Sequence, residues 1–265
     1  MPTALVTGAT SGIGAAFCRR LALEHHDLVL VARDGKRLEE TASAVQERFD
    51  VDVEILAADL ADDAGCGAVE ARLSDPDRPV DVLVNNAGRG LGAGFLTVPV
   101  DESEQLLRLN VRAVMRLSHA ALSVMVDRRR GDIINVSSVS GFTPGSRDAT
   151  YTASKAWVTC FSESLHVQVK GAGVRVLALC PGYTHTEFHE RAGIDMSQLP
   201  EWMWSDADDV VAQALRSLRR GRAICVPDAQ YKVAVAASKV LPRGVIRRAA
   251  ARIGSRAGNA EPPGR

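Results

Sequence analysis

The chain has 265 residues, of which 46% are hydrophobic and 24% charged, and its 32 basic residues balance 32 acidic ones. This length and apolar content fit one large α/β domain, and the neutral net charge argues against a nucleic-acid-binding protein. Five widely spaced cysteines without a Cys-x-x-Cys pair favour reduced, mostly buried thiols and a cytoplasmic location. Because no apolar run reaches about 18 residues, we expect neither a membrane span nor a signal peptide.

Short apolar segments alternate with helical patterns along the chain. Strands are predicted at 4–6, 28–31, 51–56, 82–84, 133–136, 174–179 and 223–226. Helices are predicted at 13–24, 36–49, 62–73, 101–127 and 151–170. Continuous apolar strands between helices are typical of a parallel sheet that is covered on both faces. With right-handed crossovers this pattern predicts a doubly wound Rossmann fold of about seven strands.

We expect three parts in the chain. Residues 1–226 form a dinucleotide-binding and catalytic domain with a substrate lid at about 187–206, and residues 255–265 form a disordered tail. Residues 227–254 form a basic amphipathic extension, with Pro242 breaking or starting one part of a helix. The extension could contact an anionic membrane, but a solvated face packed on the domain or a subunit contact is the plainer interpretation.

A glycine-rich turn follows the first predicted strand, with the pattern Thr7-Gly8-x-x-x-Gly12-x-Gly14. Absence of side chains lets the backbone approach a pyrophosphate, and the N-terminus of the following helix supplies amide donors and partial positive charge. The alternative is a glycine-rich turn that binds no ligand.

Tyr151 and Lys155 are four residues apart in a predicted helix and therefore share one face. An ammonium group beside the phenol would favour phenolate and lower a tyrosine pKa that is normally ~10. Such a phenol can exchange a proton with an alcohol or a carbonyl near neutral pH. On its own the pair could equally be a surface tyrosine beside a solvated lysine.

Seven motifs occur in order: Thr7-Gly8-x-x-x-Gly12-x-Gly14, Asp59-Leu60, Asn85-Asn86-Ala87-Gly88, Asn110, Ser138, Tyr151-x-x-x-Lys155 and Pro181-Gly182. On these motifs the chain resembles the short-chain dehydrogenase/reductase family over about residues 3–226. The resemblance implies an oxidoreductase that acts on the CH–OH group of a small molecule and assembles as a homodimer or homotetramer. A non-catalytic dinucleotide-binding sensor or scaffold is the alternative.

The resemblance also implies roles for four catalytic residues. Tyr151 would be the acid in carbonyl reduction and the base in alcohol oxidation, while Lys155 would lower its pKa and bind the nicotinamide ribose. Ser138 would hold the substrate oxygen and stabilise developing charge, and Asn110 would act through a distorted helical turn that orients a water.

Two of these assignments, Ser138 and Asn110, have competing interpretations in the sequence. Ser137 and Ser140 offer equally suitable hydroxyls near the same strand end. Asn110 could simply cap or bend its helix.

Cofactor choice depends on Ala32-Arg33-Asp34, at the end of the second strand. An acid there would bind the 2′-hydroxyl of NAD, whereas an arginine suits the 2′-phosphate of NADP, so we predict NADP(H), with NAD(H) as the alternative. Asp34 weakens this prediction because it could pair with Arg33 or contact the ribose. The cofactor-binding residues that the resemblance implies are Gly8, Thr10, Ser11, Gly12, Ile13, Gly14, Arg33, Asp59, Leu60, Asn86, Ala87, Gly88, Tyr151, Lys155, Pro181, Gly182, Thr184 and Thr186.

Within this set, Asp59 would contact the adenine edge, residues 86–88 would line the adenine ribose, and Thr186 ranks ahead of Thr184 for the carboxamide or the phosphates. The predicted substrate contacts are Ser138, Tyr151, Tyr183, Phe188 and Trp202. Apolar side chains between 194 and 204 predict either a lid over a lipophilic substrate or a flap fixed to the core. Four histidines, His119, His166, His185 and His189, lack metal-ligand spacing, so we expect no metal site.

Overall fold

Seven parallel strands form one sheet in the computed structural model, which describes residues 1–145, 148–188, 192–193 and 200–256, without the side chains of 249 and 251–256. The strands are β1 (Thr3–Thr7), β2 (Asp27–Ala32), β3 (Val53–Ala57), β4 (Val82–Asn85), β5 (Gly131–Val136), β6 (Val174–Leu179) and β7 (Ile224–Cys225). Their order is β3-β2-β1-β4-β5-β6-β7. The order reverses between β1 and β4, and a crevice opens at such a point beyond the carboxyl ends of the strands.

Helices cover both faces of this sheet, as the sequence predicts. They are α1 (Gly12–Leu23), α2 (Gly35–Gln46), α3 (Asp63–Leu73), α4 (Val100–Leu107), α5 (Val114–Asp127), α6 (Ala149–Gln168), α7 (Ala207–Arg219), α8 (Ala229–Val240) and α9 (Arg243–Arg256). One apolar core contains Phe17 and Leu215 from α1 and α7, and the other contains Leu73 and Leu117 from α3 and α5. The doubly wound fold of about seven strands is confirmed.

The long helix predicted at 101–127 is divided in three. A π-helical segment, Arg108–Ala113, separates α4 from α5, and Asn110 is buried within it. A π segment widens the helix by one residue per turn and is frequent at functional sites. The distorted turn expected at Asn110 is therefore present.

The C-terminal extension consists of α8 and α9, with Pro242 between them. Leu241 has extended backbone angles of φ −73° and ψ 140°, as the ring of a following proline requires. The second helix continues to Arg256, so the first two residues of the predicted tail are helical, and residues 257–265 lie outside the described part. Of the helices described, none combines the length and apolarity needed to cross a membrane.

Candidate active site

The glycine turn joins β1 to α1, and its glycines have no side chains that would obstruct a ligand. Gly8 and Gly12 have φ angles of +65° and +53°, which favour glycine. A Cβ at Gly14 would lie 2.1 Å from the carbonyl oxygen of Gly8, so only glycine allows this closure. Ser11 begins α1 without a side-chain capping bond. The first amide groups of a helix have no intrahelical acceptor, so this end of α1 suits a pyrophosphate.

Asn86 and Thr7 hold the glycine turn in place. The Asn86 Nδ2 donates to the carbonyl oxygens of Thr7 at 2.9 Å and Gly8 at 3.2 Å. The Thr7 hydroxyl accepts from the backbone amides of Asn86 at 3.0 Å and Ala87 at 2.9 Å. Sequence reasoning assigned Asn86 to the adenine ribose, whereas its amide nitrogen is committed to the turn itself. Sequence reasoning included Thr7 only as part of a motif. In the structure its hydroxyl joins the end of β1 to the residues after β4, in addition to the backbone pairing of these strands.

Arg33 lies at the end of β2 with 74% of its side chain exposed, and its nearest carboxylate among the described ion pairs is Asp59 at 3.9 Å. Asp34, the residue that weakened the NADP prediction, instead caps α2 by accepting from the Arg37 amide at 3.1 Å. Arg33 is therefore not neutralised by its neighbour. A nearly free guanidinium at this strand end suits a 2′-phosphate.

Arg37 is a charged residue near the crevice that sequence reasoning missed. Its guanidinium donates to Glu187 at 2.9 Å and to the Thr10 carbonyl oxygen at 3.2 Å. The carboxylate raises the pKa of Arg37 further, so the cation is permanent. This pair joins α2 and the glycine turn to the segment that follows β6. No local pattern in the sequence indicates this pair, because Arg37 and Glu187 are 150 positions apart.

The remaining cofactor candidates fall into exposed and buried groups. A Cβ on Gly12 would lie 2.7 Å from Thr186 Cγ2, so Thr186 borders the glycine turn as its predicted role requires. Thr184 is buried and its hydroxyl donates to the Gly182 carbonyl oxygen at 3.2 Å. The preference for Thr186 over Thr184 agrees with this placement. Leu60 is buried, whereas the Asp59 carboxylate is partly exposed and accepts from the Ala61 amide.

Tyr151 and Lys155 lie on one face of α6, at the carboxyl end of β5. Lys155 is 5% exposed, its Nζ donates to the Val136 carbonyl oxygen at 2.8 Å, and the same atom lies 5.7 Å from the centre of the Tyr151 ring. A Cβ on Gly88 would lie 3.4 Å from that Nζ, so the lysine also borders the proposed cofactor crevice. The structure thus brings the pair and residues 86–88 together.

The expected effect of Lys155 on Tyr151 is wrong for the protein groups alone. Burial raises the pKa of Tyr151 to about 12, hydrogen bonding from Ser138 opposes this rise, and the negative charge of Asp148 adds to it. Burial lowers the pKa of Lys155 to about 8. Lys155 is not among the groups that shift the pKa of Tyr151, and its ammonium donates to the Val136 carbonyl oxygen.

The three candidate serines are separated by their partners. The Ser137 hydroxyl is buried, lies 2.7 Å from Thr159 Oγ1 and donates to the Lys155 carbonyl oxygen at 2.7 Å, so it serves α6. The Ser138 hydroxyl accepts from the Ser140 amide at 3.1 Å and reaches the Tyr151 phenol. The Ser140 Oγ is buried without a hydrogen-bonding partner among the described atoms, although it lies near enough to lower the Tyr151 pKa. Ser138 is therefore best placed to hold a substrate oxygen.

Asn110 connects the π segment to two neighbours. Its Nδ2 donates to the Arg89 carbonyl oxygen at 2.8 Å and lies 3.3 Å from Ser154 Oγ on α6, while its Oδ1 accepts from the Arg89 amide at 3.0 Å. The side chain therefore fixes the loop after β4 against the catalytic helix. This arrangement supports a structural role for Asn110 in addition to the predicted orientation of a water.

Asp148 is a residue of the site that sequence reasoning did not single out. Its Oδ1 caps α6 by accepting from the Tyr151 amide at 2.9 Å. Its Oδ2 accepts from the amides of Leu91 at 2.6 Å and Gly92 at 3.2 Å, in the loop after β4. One carboxylate thus ties the start of the catalytic helix to the loop that Asn110 also holds. An acid three residues before Tyr151, at an N-cap position, was the available signal.

One aromatic side chain lies against the phenol, and two others pack on each other. Phe188 lies 5.7 Å from Tyr151 between ring centres, and Tyr183 lies 5.9 Å from Trp204. The side chain of Trp202 is 68% exposed. Residues 189–191 and 194–199 of the predicted lid, with His189, Met196 and Leu199, lie outside the described part. Within that part no group of three His, Cys, Asp or Glu side chains could hold a metal ion.

Tyr231 of α8 packs against the segment that follows β6. Its hydroxyl donates to the Met203 carbonyl oxygen at 2.7 Å and accepts from the Tyr183 amide at 3.3 Å. A Cβ on Gly182 would lie 1.9 Å from the Tyr231 ring, so only glycine allows this contact. The C-terminal extension is therefore part of the site's framework.

Comparison with known proteins agrees with this arrangement. The family model of the short chain dehydrogenases matches residues 2–196. The very-long-chain 3-oxoacyl-CoA reductase of Bos taurus is 31% identical over 219 residues, 81% of this chain and 68% of that protein. A short-chain dehydrogenase from Sphingobium yanoikuyae in complex with NADPH is 35% identical, with a TM-score of 0.82 over 100% of this chain and 99% of that one. The bulky-bulky ketone specific alcohol dehydrogenase from Comamonas testosteroni is 30% identical, with a TM-score of 0.78 over 100% and 97%.

Proposed function

The chain belongs to the short-chain dehydrogenase family and is an oxidoreductase, and on this premise we propose that it exchanges hydride between NADP(H) and a lipophilic carbonyl or secondary alcohol. The observation that carries the proposal is the placement of the Tyr151 phenol, with Ser138 close enough to lower its pKa and with Lys155 Nζ between its ring and Gly88 of the proposed cofactor crevice. A sensor or scaffold would not need this acid–base group, so we do not favour that alternative.

The residues present fit a dinucleotide phosphate. The glycine turn and the start of α1 would hold the pyrophosphate, Thr186 would border it, and Arg33 would bind the 2′-phosphate. When bound, the nicotinamide supplies or accepts the hydride. The complex of the Sphingobium relative with NADPH supports the choice of NADP(H).

The protein's own contribution is proton transfer and charge stabilisation. With its pKa raised to about 12, the Tyr151 phenol is protonated at neutral pH and is set to donate its proton to a carbonyl oxygen. Ser138 would donate to the same oxygen and stabilise its negative charge. Lys155, with a pKa lowered to about 8, can return a proton near neutral pH.

Aromatic side chains in the segment that follows β6 support a lipophilic substrate. Phe188, Tyr183 and Trp204 present aromatic surface, and burial of apolar substrate area there contributes about 25 cal/mol per Å². The bulky-ketone specificity and the very long acyl chains in the names of two relatives support this class. The predicted homodimer or homotetramer stays a prediction that light scattering can test.

The test is NADPH and NADH oxidation with ketones and aldehydes of increasing size. We expect turnover with NADPH, at least tenfold higher kcat/KM than with NADH, and rising kcat/KM as apolar substituents grow. Tight NADPH binding without turnover of any carbonyl would support the non-catalytic alternative instead. Turnover restricted to small polar carbonyls would contradict the lipophilic class.

A further inference from the structure

The outer face of α8 is apolar although it lies at the surface. Tyr231 and Val235 pack against the domain, whereas Val233 and Val240, seven residues apart, are 70% and 82% exposed. Ala237 is exposed between them at helical spacing, and Leu241 continues the row. We call Val233, Ala237, Val240 and Leu241 the apolar row. Nothing among the described residues covers it.

Basic residues are concentrated in the same part of the sequence as this apolar row. Residues 228–256 contain seven basic side chains and one acidic one, a formal charge of +6. The whole chain sums to zero, so the rest of the molecule carries −6. The positive charge is therefore concentrated on the two C-terminal helices. This combination of a basic segment and exposed apolar side chains is the pattern of a helix that lies in a lipid interface.

We propose that α8 and α9 bind an anionic lipid surface. Two copies of the chain related by two-fold symmetry would place +6 opposite +6 across such a contact, which disfavours self-association through this face. Anionic headgroups complement that charge, while the apolar row enters the boundary between headgroups and acyl chains. A helix of twelve residues is too short to span a bilayer, so the contact is peripheral.

Helix α8 is attached to segments close to the active site. Tyr231 anchors α8 to Met203 and Tyr183, and Lys239 Nζ lies 5.8 Å from the centre of the Phe142 ring, next to the Ser138 loop. The exposed Trp202 adjoins the same helix, since Gln230 Nε2 donates to its carbonyl oxygen at 3.4 Å.

The experiment is co-sedimentation of the full-length protein with vesicles of phosphatidylcholine, alone or with about one third phosphatidylglycerol. We expect at least tenfold stronger binding to the anionic vesicles, weakening with added salt. Val233→Glu/Val240→Glu should reduce this binding at least tenfold, and so should the charge reversal Lys232→Glu/Arg243→Glu. Val167→Glu, at a position on α6 that is also 70% exposed, is the matched control and should leave binding unchanged.

Turnover of a small soluble carbonyl measures the proposed function separately and reports that each variant is folded. Equal binding to both vesicle types, or binding that survives both double variants, would overturn the lipid surface even if turnover is normal. A change of oligomeric mass in Val233→Glu/Val240→Glu, measured by light scattering, would also overturn it and identify the row as a subunit contact.

Discussion

Replacing Asp148 with Ala tests whether one carboxylate aligns the catalytic helix with the loop after β4. The change removes the N-cap of α6, which costs about 1 kcal/mol. It also removes two charge-assisted bonds to the amides of Leu91 and Gly92, each worth about 1.5 kcal/mol because the acceptor is ionised. We therefore expect the free energy of unfolding to fall by about 2–4 kcal/mol.

The rate of catalysis should fall as well, because Asp148 positions the start of the helix that carries Tyr151. A displacement of about 1 Å at a reacting group can cost on the order of 100-fold in rate. We expect kcat for carbonyl reduction to fall between about 10- and 100-fold, while the dissociation constant of NADPH stays within about threefold. The assays are urea unfolding, steady-state kinetics and fluorescence titration of NADPH.

The matched control is Asp206→Ala, because Asp206 caps α7 through the amides of Asp208 and Asp209 and holds no second loop. It should cost about 1 kcal/mol of stability and leave kcat unchanged. If Asp148→Ala loses no more stability than Asp206→Ala and keeps its kcat, the tether has no part in aligning the site.

Three further changes separate the roles of neighbouring residues. Arg33→Ala should raise the KM for NADPH about 10- to 100-fold and the KM for NADH less than twofold, because a charge-assisted bond to phosphate is worth about 1.5–3 kcal/mol. The control Arg37→Ala should change the KM values of both cofactors alike, because the Arg37 guanidinium is bound to Glu187. Equal effects of Arg33→Ala on the two KM values would contradict the 2′-phosphate assignment. Burial lowers the pKa of Lys155 from 10.5 to about 8, so between these pH values the unfolded chain binds more protons than the folded one. In urea unfolding, the stability of the wild type relative to Lys155→Met should therefore rise by up to about 1.4 kcal/mol per pH unit above pH 8. A stability difference that does not change with pH would refute this burial effect. Tyr231→Phe should raise the KM for a bulky ketone several-fold while its kcat and the KM for NADPH change little, since only the bonds to Tyr183 and Met203 are lost; an unchanged ketone KM would show that these bonds do not shape the pocket.

Much of the fold was accessible from the sequence because its strands are continuous apolar runs. The apolar run in β2, for example, predicts a strand in the interior of a parallel sheet. In the structure the centre of β2 is buried and the strand pairs with β1 on one side and β3 on the other. The distorted turn at Asn110 was expected through family resemblance. Periodicity could not have located it, because a π segment adds one residue without changing the apolar character of the helix.

The parts that sequence reasoning missed depend on contacts between distant segments. Asp148 reaches Leu91 across 57 positions and Arg37 reaches Glu187 across 150, and no local pattern reports such pairs. The predicted effect of Lys155 on Tyr151 assumed that helical neighbours act through their charges alone. Burial of both groups is the largest cause of their pKa shifts instead. Trp202 and Trp204 are two residues apart, and only the structure shows which of them faces Tyr183.

Tyr151→Phe tests the central claim most directly, because it removes one hydroxyl and keeps the ring that packs on Phe188. Two quantities are measured on the same preparation: the dissociation constant of NADPH and kcat for reduction of the best carbonyl in the panel. We predict that the dissociation constant stays within about threefold, while kcat falls about 100- to 10,000-fold, the range that a positioned general acid contributes. Turnover retained within about threefold would show that another group delivers the proton and would contradict the assignment of Tyr151.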